Sequence, residues 1–144
     1  MGEAWRIAEL LGGKATVEGE IQSPADAIRL IKNGIPARAI AALMSRLRLS
    51  RQQFSKITGI SERTLARRLG GERLNLEESN RVYRLAQVMA RAEAAFGSEE
   101  KACLWLSRAN RSLGGALPIE LLETEAGTEE VRKSLGRIEH GIYG

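Results

Sequence analysis

Four side chains in one short stretch, Arg63, Thr64, Arg67 and Arg68, have the types and spacing that read a polyanion. Helical residues four apart share a face, so Arg63 and Arg67 stand one above the other. A guanidinium presents a fork of N–H donors that matches guanine O6 and N7 in a DNA major groove. Each such pair gives about 1–3 kcal/mol of discrimination against the wrong base. Arg63, Thr64 and Arg67 are expected at base edges and Arg68 at phosphates. Arg51 and Gln52, earlier in the chain, are expected to hold further phosphates. Glu62 suits either a cytosine amino group or the positive end of its own helix.

The elements that must position these groups are legible around them. Ser50 can cap a helix, with Gln53 at capping-box spacing. Thr58-Gly59-Ile60-Ser61 then breaks the pattern. Gly59 suits a left-handed helix end, and Ser61 suits the cap of a second short helix. Phe54, Ile57, Ile60, Leu65 and Leu69 are apolar where two helices must meet, and Ser55 is small where they cross. This is the pattern of a helix-turn-helix spanning residues 49–71, whose second helix enters the major groove. The competing reading is a helical hairpin with a solvated basic face. Turn, caps and inward positions together favour the DNA-reading motif.

Charge placement agrees. The chain carries a net charge of +4 over 144 residues. Residues 46–84 hold ten bases and four acids, whereas residues 110–144 hold four bases and six acids. A basic middle beside an acidic end points to two partners, one of them polyanionic. Hydrophobic content is 43% and aromatic content 4%, so the core must come from Leu, Ile and Ala. That composition predicts an all-α fold, with no run of alternating β-branched residues for a sheet.

Enzyme chemistry is poorly provided for. His140 and Cys103 are the only residues of their types and fall in different helices, so a nucleophile–base pair is not expected. Cys103, close to Trp105, reads as a small core residue. A metal site needs more His, Cys or clustered Asp than this sequence offers, and no cofactor is expected. Gly12-Gly13 and Gly114-Gly115 lack the strand-then-helix context of a phosphate loop and read as turns. A single cysteine fits a reducing cytoplasm. No apolar run approaches the roughly 18 residues of a membrane span, and the N-terminus does not read as a secretory signal.

Along the rest of the chain, residues 3–11 read as a helix ending at Gly12-Gly13, and residues 14–22 as a loop or short extended piece. Ser23-Pro24 opens one helix and Pro36 a second. Asn75, with Glu78, caps a long helix whose stripe is Val82, Leu85, Ala86, Met89, Ala92 and Phe96. Gly97 stops it and Ser98 caps the next. After a loop over 110–117, Pro118 opens a brief helix, and Gly127-Thr128 is expected to break and recap the chain into a last helix ended by Gly141. The expected division is an N-terminal extension, 1–22, a helix-turn-helix domain, 23–74, and a second helical domain, 75–144. Ile142 and Tyr143 beyond that last stop read either as a fraying end or as an anchor for a partner's pocket.

These residues together carry a resemblance. IKNGIPARAI at 31–40 and GISERTLARRL at 59–69 are followed by Phe96-Gly97, Trp105-Leu106, Asn110, LGGALP at 113–118, Leu121-Leu122, Thr124, Gly127, Val131 and RIEHGIYG at 137–144. In that order, over residues 24–144, they resemble the Xre-type antitoxins of RES–Xre toxin–antitoxin modules, the Xre/MbcA/ParS family. The resemblance implies that the second domain, 75–144, binds a cognate RES-domain toxin that depletes NAD. It also implies repression of the chain's own operon through operator DNA. Similar antitoxins place their C-terminal end at the toxin's active-site cleft, which nominates Arg137, Glu139, His140, Gly141, Ile142, Tyr143 and Gly144. A carboxylate at Gly144 is then expected to mimic a phosphate there. A homodimer is expected, because helix-turn-helix proteins read half-sites about 34 Å apart. The N-terminal helix, with Trp5, Ile7, Leu10 and Leu11, and the long helix are the candidate interfaces. The alternative is a transcription regulator whose C-terminal half only dimerises or senses a ligand.

Overall fold

The structure, a computed structural model, describes residues 3–141. Among them the regular structure is helical, with only two isolated bridges, Pro36 to Arg73 and Asn110 to Ala116. Two compact units divide between Ala90 and Arg91. That point lies inside one helix, α7, Leu76–Phe96. The boundary expected from the sequence lies at the start of the same helix.

In the first unit, α1 (Glu3–Leu10) buries Ile7 and Leu10, with Leu11 just beyond its end. Residues 14–22 differ from expectation, because Lys14–Val17 form a single helical turn, α2. Gly13 and Glu18 flank it with positive φ values of 86° and 59°. Burial of Val17 and Ile21 overrides the weak local preference. Both helices pack on α4, Arg38–Leu47. The expected extension is therefore part of the same unit as the helix-turn-helix. Ile7, Leu10 and Leu11, considered above as a dimer face, are buried within the protomer, while Trp5 is 46% exposed.

Helix α3 (Pro24–Asn33) starts as the sequence indicates, with Ser23 Oγ accepting from the Asp26 N–H at 3.3 Å. The Asp26 carboxylate also accepts from the Gln22 N–H and pairs with Arg29, and these contacts hold its pKa below the ordinary value of 3.8. Pro36 does not open α4. It sits in the bridge to Arg73, and the helix begins at Arg38.

The link between α3 and α4 is clasped by the approach to α7. Leu74 N donates to Ile35 O at 3.0 Å, Ile35 N to Ser79 Oγ at 3.0 Å, and Arg73 Nη1 to Gly34 O at 2.8 Å. Gly34 has φ 88°, and a Cβ built there would lie 2.5 Å from the Leu74 carbonyl oxygen. Gly34→Ala is therefore expected to combine left-handed strain with a backbone clash and cost about 2–4 kcal/mol. Chemical denaturation measures this as a lower midpoint; a loss below about 1 kcal/mol would mean that the link yields without strain.

In the second unit, α8 (Glu99–Leu106) is capped by Ser98 and buries Ala102, Cys103 and Leu106. The Phe96 and Trp105 rings meet with centroids 5.5 Å apart. Asn110 closes the following loop. Its N–H donates to Ala116 O at 2.9 Å, its carbonyl accepts from Gly115 N at 2.8 Å, and its Oδ1 accepts from Ser112 N at 2.9 Å. Helix α9 (Pro118–Leu121) and α10 (Glu125–Glu139) then pack together. Gly127-Thr128 is not a break, since Thr124 caps α10 and the helix runs on through both residues. The glycine there answers to tertiary proximity. A Cβ at 127 would stand 2.0 Å from Leu121 O.

Candidate functional site

Helix α5 (Arg51–Thr58) opens with the full capping box, Ser50 Oγ accepting from Gln53 N at 3.1 Å and Gln53 Oε1 from Ser50 N at 2.9 Å. Gly59 ends it with φ 74°. Ser61 then caps α6 (Glu62–Leu69), accepting from the Thr64 N–H at 3.1 Å. Phe54, Ile57, Ile60 and Leu65 are buried, and Ser55 and Leu69 are half-buried at the crossing. The two helices thus hold one exposed face of α6 outward.

Arg63 and Arg67 lie on that face and are exposed. Arg67 Nε stands 3.3 Å from Glu72 Oε2, a surface contact with the arginine side chain 61% exposed. Such a pair is screened and readily exchanged for a stronger anion. Thr64 is half-buried, and its hydroxyl accepts from Ser61 Oγ at 3.0 Å, so it serves the cap. Arg51 and Gln52 are exposed at the start of α5. Arg68 is placed differently. Its Nε meets Glu78 Oε1 at 3.0 Å and its Nη1 meets Glu72 Oε1 at 3.3 Å. The Arg68 side chain is only 15% exposed and that of Glu78 11%.

One contributor is not visible in the sequence. Arg81 of α7 donates through Nη1 to the Thr58 carbonyl at 3.1 Å, the last residue of α5. A Cβ on Gly59 would approach that same nitrogen to 2.9 Å. The spacing of Glu77 and Arg81 announces a helix-face pair, observed at 3.2 Å, but not this reach across to the turn.

At the other end of the chain, Val131 and Leu135 bury the inner face of α10, with Ile138 half-buried. Arg137 Nη2 donates to the buried Ser134 hydroxyl at 3.1 Å, and Glu139 pairs with Arg91 at 3.6 Å. His140 and Gly141 are exposed where the helix stops, Gly141 having φ 73°. Ile142, Tyr143 and Gly144 lie outside the described residues.

Residues 26–87 match the antitoxin Xre-like helix-turn-helix domain, and residues 91–141 the antitoxin Xre/MbcA/ParS C-terminal toxin-binding domain. An Antitoxin Xre from Photorhabdus laumondii is 33% identical over 115 residues, 78% of each chain. An Antitoxin Xre from Yersinia enterocolitica is 36% identical over 115 residues, again 78% of each. A protein of a Sphingobium species named Prs ADP-ribosylating antitoxin is 27% identical over 131 residues, 84% of this chain and 82% of that one. The chain belongs to the Xre antitoxin family.

For an Xre antitoxin, the two regions described above take on distinct duties. The basic face of α6 lies in the DNA-binding domain, and α8 to α10 form the toxin-binding domain. Among the described residues no group of three or more His, Cys, Asp or Glu is placed to hold a metal, and no helix is long and apolar enough to cross a membrane.

Proposed function

We propose that this antitoxin inhibits a NAD-depleting RES-domain toxin by placing its C-terminal tail in the toxin's active-site cleft. We further propose that it represses its own operon as a homodimer in the cytoplasm. The toxin reading rests on one observation above others: residues 91–141 match the toxin-binding domain, and its last helix, α10, closes at an exposed turn, His140-Gly141. Arg137, Glu139 and His140 on the closing turn lead directly into Ile142, Tyr143 and Gly144. The name of the Sphingobium relative speaks of ADP-ribosylation, a reaction that takes ADP-ribose from NAD. An NAD-consuming partner fits that chemistry. Co-expression with the adjacent gene tests the reading. Cellular NAD is expected to collapse with the neighbour alone and to recover when the antitoxin is present, with the two copurifying. A neighbour that leaves NAD untouched would refute it.

Repression rests on the outward face of α6. Arg63 and Arg67 are assigned to base edges, and Arg51 and Gln52 to phosphates. Thr64 serves chiefly to hold the helix cap. The R63A/R67A double variant is expected to lose roughly 30-fold or more in preference for operator over scrambled DNA. Its residual binding should keep a steep salt dependence through the remaining phosphate contacts. Gel shifts over a salt series measure both quantities, and an unchanged operator preference would remove the two arginines from the groove.

A further inference from the structure

The first half of α7 grips the last turn of the reading helix and, separately, the end of α5 before the turn that leads into it. At the far end, Arg68 and Glu78 meet side-on, Nε to Oε1 at 3.0 Å and Nη2 to Oε2 at 3.5 Å. Glu78 is at the same time the closing member of a capping box. Its Oε1 accepts from the Asn75 N–H at 2.9 Å, and its own N–H donates to Asn75 Oδ1 at 2.8 Å. One carboxylate therefore fixes the first turn of α7 and the last turn of α6. At the near end, Arg81 holds the Thr58 carbonyl just before the turn that leads into α6. Glu72 completes the arrangement, accepting from Arg68 at 3.3 Å and facing Arg67 at 3.3 Å.

We propose that Arg68 and Glu78 are positioning residues for DNA reading: the pair sets the angle at which α6 offers Arg63 and Arg67 to the groove, and Arg68 does not contact phosphate. The physical argument is one of geometry and availability. A planar guanidinium bound side-on to a largely buried carboxylate is oriented by it. To reach a phosphate, Arg68 would have to leave Glu78 almost unsolvated and without its charge partner. Arg63 and Arg67 face no such obstacle. The proposal rests on α6 being the reading helix.

Three variants of the full-length protein separate the possibilities. Glu78→Gln keeps a side chain able to close the capping box but removes the charge that orients Arg68. Arg68→Lys keeps the cation but loses the fork. Arg68→Gln removes the cation. If Arg68 positions, Glu78→Gln and Arg68→Lys each lose roughly 5- to 150-fold in preference for the promoter duplex over a scrambled one, the worth of one misaligned base contact. The salt slope on scrambled DNA then stays at the wild-type value in Arg68→Gln. If Arg68 holds a phosphate, Arg68→Lys and Glu78→Gln bind the promoter normally, and Arg68→Gln lowers the slope by about 0.9; that result overturns the proposal. Amide exchange without DNA supplies a second readout that does not depend on operator binding. Residues 62–69 are expected to exchange faster in Glu78→Gln while residues 99–106 keep wild-type protection, and unchanged exchange over 62–69 counts against the clamp. A wild-type protein with no promoter preference would overturn the reading-helix assignment itself, an outcome distinct from failure of the clamp.

Discussion

Deleting residues 141–144 is expected to leave both units folded and to abolish protection against the toxin. Folding survives because the buried anchors of α10, Val131 and Leu135, lie well upstream. The deletion takes away the hydrogen bond from the Gly141 N–H to Ile138 O at 3.0 Å, a surface closure worth about 0.5 kcal/mol or less. Binding is another matter. An aromatic anchor seated in a pocket commonly contributes about 2–4 kcal/mol, so losing Tyr143 together with Ile142 should weaken toxin capture by roughly 30- to 1,000-fold. Circular dichroism would show an unchanged melt, while cells carrying toxin and truncated antitoxin would lose NAD. Full protection by the truncated chain would place inhibition elsewhere in the toxin-binding domain.

The second large effect is expected at Gly127. Glycine to alanine inside a helix ordinarily stabilises by about 1 kcal/mol. Here the new methyl would lie 2.0 Å from the Leu121 carbonyl oxygen and 3.0 Å from Thr124 Oγ1. The first obstacle is backbone and cannot rotate aside. It belongs to the end of α9, and the second belongs to the residue that caps α10. Overpacking against a fixed neighbour costs about 1–3 kcal/mol and occasionally more, so the clash outweighs the propensity gain. A net loss of about 1–2 kcal/mol, or roughly 5–15 °C in the melting of so small a unit, is expected for Gly127→Ala. Toxin capture should fall with it, while operator binding through α6 persists. A melt equal to or above wild type would show that α9 moves away freely.

Gly127 also marks where sequence reading stops. Local signals are legible because their causes are local: Ser23, Ser50, Ser61, Asn75 and Ser98 each cap the helix that their spacing announces. A serine side chain and an amide three residues on are neighbours in any chain that turns into a helix there. Gly127 suggests a stop because glycine is usually local punctuation, yet its reason is the approach of α9. Pro36 likewise suggests a helix start and instead serves the bridge to Arg73. Arg68 looks like its neighbours Arg63 and Arg67 in type and density. Only the return of the chain into α7 brings Glu78 beside it. The outward arginines of α6 are legible because the inward residues of a helix-turn-helix leave only one face for them. The clamp behind them is not, since it depends on which of several nearby acids the fold delivers.

The division between the units at Ala90 and Arg91 falls within α7, not in a loop. A peptide inside a helix lacks the extended backbone that a protease needs, so cleavage at this point is expected to be slow while α7 stays formed. Severing it would leave each half with an unfinished helix end and unpaired carbonyls or amides.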